Sequence, residues 1–430
     1  MATRRILIAA GAAAALAFSA AMLAGCGGGG GEGEGKKIEA AAPTAAALPG
    51  ATVYLAQAQF IQERGKDGKN HAVPGPARMV ILTRGANGWD EEVVEDPESN
   101  VFHKAMWYAP PEGEPGILTI GAVGAHLKIW RRGADGWTGE SLWNPTFGGE
   151  YDRLRDFEVA DVDGDGADEI AIATHDQGVV AVMRRVGGGW VAEELYREGN
   201  TFVHEIETGD VDGDGRAEVF STPSLPNKLD GSEQPGRIDR YDYEKGGWVR
   251  SVVAELPTRH VKEILCVTPD GEERPVLFAA LEGEKIGGAE QGDSTRIRLY
   301  RFARGAVRFT DIAGLPGNLC RFLVWADTDG DGARELIAST KSEGIWRLDP
   351  PAPDGGDEWS RRLVARGTSG FEHATFASDL DGDGRDDLVV ASDDQKELRV
   401  YRWDGSAYKK GVIGPLKGDT ITFNVTTRVP

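Results

Sequence analysis

Asp161-Val-Asp-Gly-Asp-Gly-Ala-Asp-Glu169 is the stretch that decides the fold of this chain, because the chain repeats it. Three further copies begin at Asp210, Asp327 and Asp379 and keep acidic residues at positions 1, 3, 5 and 9, with glycine at positions 4 and 6. The second and third copies lie about twice as far apart in the sequence as the first and second copies or the third and fourth copies. A degenerate copy, Thr268-Pro-Asp-Gly-Glu-Glu273, lies between the second and the third. Repetition at a period of about 50 residues indicates a repeat architecture.

Every repeat carries the same order of strand-like segments. An apolar run precedes the acidic loop, a β-branched segment follows it, and an alternating segment then leads through a tight turn to a fourth strand. Tryptophans mark the start of that fourth strand at Trp89, Trp137, Trp190, Trp248 and Trp359. Four short strands per unit, without helical periodicity, are typical of β-propeller blades.

The number of repeats predicts the number of blades. Seven units are recognised, at residues 51–97, 101–147, 151–199, 201–257, 259–316, 318–369 and 371–416. The first unit lacks an inner strand, whereas the C-terminal segment 420–429 is a strand without a unit. We therefore predict an all-β, seven-bladed propeller of four-stranded antiparallel blades, closed by the C-terminal strand so that no sheet edge stays open.

The N-terminus has the pattern of a targeting segment. Arg4 and Arg5 precede an apolar run, 6–22, and Leu23-Ala-Gly-Cys26 resembles a lipobox. We predict a lipoprotein signal peptide at residues 1–25, a lipidated Cys26, a Gly/Ala-rich tether at 26–50 and the propeller at 51–430. The protein is then extracytoplasmic and membrane-anchored, with the outer membrane or cell surface favoured because Gly27 follows the cysteine. An ordinary secretory signal, in which Cys26 is incidental, is the alternative.

The net charge argues against one class of partner, and the positions of the cysteines predict whether they form a disulfide. The formal net charge of -21 argues against a nucleic-acid partner, since a polyanion needs a basic surface. Cys266 and Cys320 are the cysteines left in the predicted mature chain, and they fall at opposite ends of inner strands in adjacent blades. We expect two free thiols, because a disulfide spans only about 7 Å between Cα atoms.

The acidic repeats predict calcium sites. Alternate side chains in a tight loop can converge on one cation, and carboxylate and carbonyl oxygens suit a hard ion such as Ca²⁺. An EF-hand is excluded, because position 12 is Ile172, Ser221, Ala338 or Val390 and a strand follows each loop. Acidic β-turns without an ion are the alternative. The predicted ligands of about four ions are the side chains at positions 1, 3, 5 and 9 and the carbonyl at position 7: Asp161, Asp163, Asp165, Ala167 and Glu169; Asp210, Asp212, Asp214, Arg216 and Glu218; Asp327, Asp329, Asp331, Ala333 and Glu335; Asp379, Asp381, Asp383, Arg385 and Asp387.

These loops and their setting resemble the FG-GAP/VCBS repeats of the integrin α-subunit propeller and of many secreted bacterial proteins. The resemblance covers residues 51–430 and implies calcium in the hairpin between the first two strands of a blade. Members of that family are mostly adhesion or binding scaffolds, and a minority are lyases or dehydratases. The Phe-Gly and Gly-Ala-Pro sequences that name the repeat are weak in this chain, so the resemblance implies fold and calcium but not integrin-type ligand recognition.

A second candidate site lies at the opposite end of the channel. The register of the repeats places Arg155, His204, Arg321 and His373 six residues before each acidic loop, and His103 and His260 join them after small adjustments of loop length. Long insertions at 60–77, 222–237 and 282–296 fall on the same face. These histidines and arginines could simply pack between blades, or could form a ring that binds an anionic group such as a uronate or phosphate or that holds a metal.

Two functions from different classes follow. The first is a non-enzymatic module that binds a protein or polysaccharide through the insertion-bearing face. The second is a carbohydrate-active enzyme of lyase or dehydratase type, with the His/Arg ring carrying the chemistry. The enzyme predicts a deep funnel at the axis in which several of His103, His204, His260 and His373 converge, whereas the scaffold predicts a channel mouth plugged by apolar or small side chains.

Overall fold

The computed structural model describes residues 47–110, 113–149, 152–175, 177–225, 235–283, 285–286, 289–290, 295–303, 305–351 and 358–430. The predicted signal peptide, Cys26 and most of the tether lie outside these residues, and so do parts of the predicted insertions at 222–237 and 282–296. Within the described ranges no helix is long and apolar enough to cross a membrane.

The described residues form seven antiparallel blades and one small hairpin. Blade 1 holds β1 (Thr52–Arg64), β2 (Asn70–Pro74), β3 (Ala77–Gly85), β4 (Gly88–Asp96) and β31 (Thr420–Arg428). Blade 2 holds β5 (Phe102–Tyr108), β6 (Gly116–Gly121), β7 (Leu127–Gly133) and β8 (Gly136–Trp143). Blade 3 holds β9 (Leu154–Ala160), β10 (Glu169–Thr174), β11 (Val180–Val186) and β12 (Gly189–Tyr196). Blade 4 holds β13 (Phe202–Gly209), β14 (Glu218–Ser224), β15 (Gly236–Glu244) and β16 (Gly247–Leu256).

The remaining three blades have the same order. Blade 5 holds β17 (Val261–Val267), β18 (Val276–Leu281), β21 (Thr295–Ala303) and β22 (Ala306–Leu315), with the hairpin β19 (Lys285–Ile286) and β20 (Ala289–Glu290) in its second connection. Blade 6 holds β23 (Cys320–Ala326), β24 (Glu335–Thr340), β25 (Gly344–Asp349) and β26 (Ser360–Ala365). Blade 7 holds β27 (Thr375–Ser378), β28 (Asp387–Ser392), β29 (Glu397–Trp403) and β30 (Tyr408–Pro415), with a 3₁₀ turn at Asp393–Gln395.

The ring closes as the sequence predicts. The C-terminal strand β31 pairs antiparallel with β1 and becomes the inner strand of blade 1. The inner strands β31, β5, β9, β13, β17, β23 and β27 each contact the next one around the axis, and β27 contacts β31. The seven-bladed prediction and the closure by one C-terminal and three N-terminal strands are confirmed.

The core is distributed between the blades. Seven apolar clusters lie at the seven blade-to-blade interfaces, each drawn from the facing sides of two neighbouring sheets. The second strand of blades 2 to 7 is buried over its whole length, as in β10 and β24, because both of its faces contact another blade. Sheets buried on both faces show apolar runs in place of strict alternation, which is the pattern of these segments.

The two thiols of the propeller remain apart. Cys266 on β17 and Cys320 at the start of β23 are both free cysteines, as the sequence predicts. Burial raises the pKa of each thiol, and Glu207 adds to this effect at Cys266 and Glu263 at Cys320. Both therefore stay protonated at neutral pH.

Candidate functional site

The four acidic loops, which begin at Asp161, Asp210, Asp327 and Asp379, connect the inner and second strands of blades 3, 4, 6 and 7. In each loop the aspartate at position 1 accepts hydrogen bonds from the backbone N–H groups of positions 4 and 6; in the first loop the distances are 2.7 Å from Gly164 and 2.9 Å from Gly166. Both of these glycines have positive φ. The glycine positions thus permit the reversal that turns the carboxylates inward.

The predicted side chains converge in each acidic loop, although not all of them do. Carboxylate oxygens lie within 4.8 Å of one another in four groups: Asp161, Asp163 and Glu169; Asp210, Asp212, Asp214 and Glu218; Asp327, Asp329, Asp331 and Glu335; Asp379, Asp381 and Asp383. Asp165 and Asp387 are the two predicted side-chain ligands outside these groups. Backbone N–H groups at position 7, from Ala167, Arg216, Ala333 and Arg385, donate to the position-5 aspartates. The predicted carbonyl ligands at position 7 stay predictions.

An arginine on the third strand of the blade approaches each acidic loop, and the sequence reasoning missed it. Position 3 pairs with this arginine in all four blades: Arg184 with Asp163, Arg240 with Asp212, Arg347 with Asp329 and Arg402 with Asp381. Arg402 also binds both oxygens of Asp387 at 2.7 Å, which explains why Asp387 lies outside its group. The repeat pattern gave no sign of these arginines, because they lie in two different registers of the third strand.

Unpartnered carboxylate oxygens show that the loops fit a cation. In Asp329, Oδ2 lies 2.6 Å from Nη1 of Arg347, while Oδ1 is buried without a partner. Asp381 shows the same split, with Oδ2 at 3.1 Å from Arg402 and Oδ1 buried and unpartnered. A buried oxygen without a hydrogen bond costs free energy, and a bound hard cation would satisfy it.

The pKa values of the glutamates in these loops also reflect their burial among other carboxylates. Burial, followed by the neighbouring aspartates, raises the pKa of Glu169 to about 7. Burial likewise raises the pKa of Glu335 to about 7 and that of Glu218 to about 8, in each case against the lowering effect of the nearby arginine. A cation would replace protons at these carboxylates, so its affinity should increase with pH.

The degenerate loop in blade 5 is built differently. Asp270 accepts hydrogen bonds from the backbone N–H and the guanidinium of Arg334 at 2.7 and 2.8 Å. Glu272 pairs with Arg301 of β21. Two of the three acids of this loop therefore have a basic partner, and none of the three belongs to the convergent groups found among the described residues.

A β-bulge near the start of the inner strand creates the second site. At this point in six blades, two residues of the inner strand lie opposite one residue of the second strand. The extra residues are Phe423, His103, Arg155, His204 with Glu205, Lys262 and Arg321. A bulge re-aims the side chain that it adds, so the repeated bulges bring this set to the end of the channel.

Five of these residues, Phe423, His103, Arg155, His204 and Arg321, line an open pocket with about 890 Å³ of empty space, counting the part that is continuous with solvent. The polar lining residues are Gln59, Asn100, His103, Arg153, Arg155, His175, His204, Arg321 and Glu372. The apolar wall is formed by Phe60, Phe371, Ile421, Phe423 and smaller residues. Four of the six predicted ring residues, His103, Arg155, His204 and Arg321, therefore lie together around one pocket.

The other two predicted ring residues lie elsewhere. His260 precedes the blade 5 bulge by two residues; its ring centroid is 6.3 Å from that of His204, and it does not line the pocket. Lys262 takes the bulge position and pairs with Glu282 at 3.0 Å. Counting from the degenerate loop could not distinguish these two residues, since that loop has lost its regular spacing.

His373 does not line the pocket, because its backbone conformation directs its ring elsewhere. Its φ is +57°, and its ring bonds to the carbonyl of Thr340 at 2.7 Å and to the hydroxyl of Thr368 at 2.9 Å. The preceding residue, Glu372, lines the pocket in its place. A left-handed residue before a strand shifts which neighbouring side chain faces the axis, and repeat counting does not detect such a change.

The histidines of the pocket are neutral. Burial is the main cause that holds the pKa values of His103, His175 and His204 well below their usual range, and the charge of Arg155 adds to it. His103 donates its Nδ1–H to the carbonyl of Leu154 at 2.8 Å, which leaves Nε2 as the acceptor. Both ring nitrogens of His204 and Nε2 of His175 are buried without a partner. These rings therefore retain hydrogen-bonding capacity that the fold does not use.

Five polar residues of the pocket were missed by sequence reasoning, and two of them are Gln59 and Asn100. His175 follows β10, and its ring lies 6.1 Å from the ring of His103 and 4.9 Å from that of His204. Arg153 and Glu372 also line the pocket. The repeat register does not link a residue that follows the second strand, such as His175, to residues of the inner strands.

Comparison with known proteins agrees with the repeat type. The family model of the FG-GAP-like repeat matches residues 161–221, which include the acidic loops of blades 3 and 4. The chain is thus a seven-bladed β-propeller with FG-GAP-like repeats, and this prediction is confirmed. No curated protein matches.

Solved structures give distant matches. The structure of the Pseudomonas aeruginosa periplasmic gluconolactonase PpgL is 12% identical, covers 88% of this chain and 99% of its own, and has a TM-score of 0.48. At that level the likeness carries no argument about activity.

Proposed function

We propose that this protein is an extracytoplasmic, calcium-stabilised β-propeller that binds the anionic group of a saccharide or polysaccharide. The observation that carries the proposal is the pocket at the end of the channel opposite the acidic loops, where Arg155, Arg321 and three histidines face one open cavity. Its mixture of charged donors and aromatic walls suits a polar, ring-shaped ligand.

Charge favours an anion over a metal ion in this pocket. Arg153, Arg155 and Arg321 line it, whereas Glu372 is the one carboxylate among the lining residues that the structure describes. A divalent cation at His204 would meet Arg155, Arg321 and Lys262, which already act on this ring electrostatically. Arginine is also the side chain best suited to carboxylate and phosphate groups, because its planar donors bind two oxygens at once.

Calorimetric titration with paired saccharides tests the proposal. Oligosaccharides of glucuronate or galacturonate should bind, and their neutral glucose or galactose counterparts should bind at least about 10-fold more weakly, since a charged hydrogen bond contributes about 1.5–3 kcal/mol. Arg321→Gln should weaken binding of the acidic ligand to a similar extent. Arg131→Gln, on the exposed outer part of blade 2, is the matched control and should leave binding unchanged.

The outcomes separate the possible ligands. Equal binding of neutral and acidic saccharides would overturn the anionic site. Binding of an acidic peptide in place of every saccharide would assign the pocket to a protein ligand, which is the other partner class that the sequence suggested.

Calcium is proposed as the ion of the acidic loops. Convergent carboxylates and buried, unpartnered oxygens at Asp329 and Asp381 support a hard cation. The geometry does not by itself distinguish Ca²⁺ from other hard ions. Elemental analysis of purified protein, followed by titration of metal-free protein with Ca²⁺ and Mg²⁺, identifies the ion, and preference for Mg²⁺ would contradict the assignment.

Membrane anchoring is proposed from the lipobox at residues 23–26. Cells fed an alkyne fatty acid should yield labelled protein in the membrane fraction. Cys26→Ser should lose the label and release the protein from that fraction, while unlabelled wild-type protein would contradict a lipid anchor.

A lyase or dehydratase is the second candidate function, and one observation favours it. His103 is fixed by the hydrogen bond from its Nδ1–H to Leu154, so that Nε2 is an acceptor, and its lowered pKa keeps it neutral. A neutral imidazole with one fixed tautomer is suited to accept a proton. Incubation with acidic polysaccharides, monitored by the ultraviolet absorbance of unsaturated products, tests this activity, and His103→Gln should abolish turnover without abolishing binding.

A further inference from the structure

Glu372 occupies an unusual place in the pocket. Its side chain is 4% exposed, and its Oε2 lies 3.6 Å from Nη2 of Arg155 and 3.8 Å from Nη1 of Arg321. Direct charge-assisted hydrogen bonds between such groups are shorter, about 2.7–2.9 Å. The three groups are therefore near one another without being fully satisfied, and Nε of Arg321 has no partner at all.

The pocket also contains an uncharged acceptor. Oδ1 of Asn100 is buried and has no hydrogen-bond partner, and Asn100 lines the same cavity as Glu372. The arginines can only donate, and the unpartnered nitrogens of His204 offer at least one donor. The site thus combines donors for an anion with acceptors for hydroxyl groups.

Aromatic side chains complete the wall. Phe423 packs edge-on against His103 with 5.0 Å between ring centroids, and Phe371 lies under the guanidinium of Arg321 at 5.4 Å. Both line the cavity. Apolar faces of this kind can cover the C–H face of a sugar ring.

We propose that the pocket selects a hydroxylated acid, that is, the uronic or aldonic acid residue of a saccharide, and that Glu372 is the residue that determines this specificity. The ligand carboxylate lies between Arg155 and Arg321, and ligand hydroxyls donate to Glu372 and Asn100. Glu372 repels a bare anion by its like charge, and it stabilises an anion whose hydroxyls reach it. This inference rests on the proposed anion-binding function and adds the ligand class to it.

A pair of ligands that share a ring and a carboxylate tests the inference. Glucuronate carries hydroxyl groups, and tetrahydropyran-2-carboxylate has the ring and the carboxylate without them. The wild-type protein should bind glucuronate about 10- to 100-fold more tightly, the range expected for one or two hydrogen bonds to a charged acceptor.

Glu372→Gln should change this preference in a defined direction. Loss of the negative charge should strengthen binding of tetrahydropyran-2-carboxylate and weaken binding of glucuronate, so the ratio of the two dissociation constants falls at least about 10-fold. Glu140→Gln, an exposed outer-strand glutamate that pairs with Arg131, is the matched control and should keep the wild-type ratio. Circular dichroism and melting curves check that the variants fold.

The outcomes distinguish the two proposals. If neither acid binds to the wild-type protein, the anionic pocket itself fails. If both acids bind with equal affinity, the pocket binds anions but the hydroxyl selection is overturned, and this result needs no variant. Unequal binding that Glu372→Gln leaves unchanged would remove Glu372 from the specificity while the ligand class stands.

Discussion

His373 shows how one backbone angle moves a residue from one role to another. In blades 3, 4 and 6, the residue six positions before the acidic loop lies in a bulge and lines the pocket, whereas His373 adopts φ +57° and turns between blades 6 and 7. There it is fully buried, and burial lowers its pKa to about 4. Its imidazole thus serves the packing of two blades, and its neighbour Glu372 faces the ligand site.

A pH dependence of stability follows from this burial. The unfolded chain binds a proton at His373 below a pKa of about 6.5, whereas the folded chain binds it only below about 4. The stability that the neutral imidazole provides is therefore complete above pH 6.5 and is lost as the pH falls towards 4, by about 3 kcal/mol at most.

His373→Asn isolates this effect. Asparagine tolerates the left-handed conformation and can donate to Thr340, but it does not titrate. The free energy of unfolding, measured by urea denaturation between pH 7 and pH 4, should decrease less steeply in the variant than in the wild type. Parallel curves for the two proteins would contradict the assigned titration.

At the scale of the element, each acidic loop is a unit made of a hairpin and a strand. The aspartate at position 1 accepts hydrogen bonds from the backbone of the loop, as Asp327 does. The third-strand arginine pairs with one carboxylate oxygen of the aspartate at position 3, as Arg347 does with Asp329. In the loops that begin at Asp327 and Asp379 the other oxygen of position 3 is left for the ion, whereas Oδ1 of Asp163 and of Asp212 accepts a backbone hydrogen bond. The arginine therefore orients the ligand and reduces the repulsion among the carboxylates, an effect that the acidic pattern alone did not reveal.

Substitution of one loop should remove one ion. Asp329→Asn keeps the shape of the side chain but replaces a charged oxygen at the centre of the loop, so calcium stoichiometry in equilibrium dialysis should decrease by one. Asp270→Asn in the degenerate loop is the control and should leave the stoichiometry unchanged, because Asp270 already binds Arg334. A loss of calcium from the Asp270 variant alone would reverse these assignments.

The bulges are the second feature at this scale. They recur at equivalent points of six inner strands. The pocket takes lining residues from blades 1, 2, 3, 4, 6 and 7 and therefore belongs to no single element. A ligand bound there contacts several blades at once and should stabilise the whole ring by mass action.

For the whole molecule, the closure by β31 is the contact that joins the two ends of the chain. Val425 at its centre is fully buried, and Thr426 donates to the carbonyl of Ala105 on the neighbouring inner strand at 2.7 Å. Without β31 the inner edge of β1 would be unpaired and the core on both sides of blade 1 would be uncovered, and proteins avoid such open edges.

Truncation at residue 417 should therefore prevent stable folding. Loss of β31 exposes the apolar interfaces on both sides of blade 1, and the truncated chain should show no cooperative melting transition by circular dichroism. Removal of residues 429–430, which lie beyond β31, is the control and should leave the transition intact. A truncated protein that melts like the full chain would show that closure contributes little.

Removal of calcium should act on the whole ring. An ion that binds only the folded state stabilises it by about 2.7 kcal/mol when its concentration is 100 times its dissociation constant, and four loops are distributed over four blades. Dialysis against a chelator should lower the melting temperature, and added Ca²⁺ should restore it. An unchanged melting curve after complete removal of the ion would contradict a stabilising role.

The sequence by itself determined the features that repeat. Loop spacing fixed the number of blades, and the C-terminal segment fixed the mode of closure, because each unit must bury its faces against a neighbour and leave no open edge. The convergence of acidic side chains at Asp161, Asp210, Asp327 and Asp379 followed from the same local pattern, since a short loop with glycines at fixed positions folds in a similar way in these four blades.

Only the tertiary structure decided the composition of the pocket and the environment of the loops. A bulge at Lys262 and a left-handed angle at His373 changed which residue faces the axis, and the pattern of one strand does not contain such local departures. His175, Glu372 and the third-strand arginines entered their sites from other elements. Contacts across elements depend on how neighbouring sheets pack, and that information is held by the assembled ring.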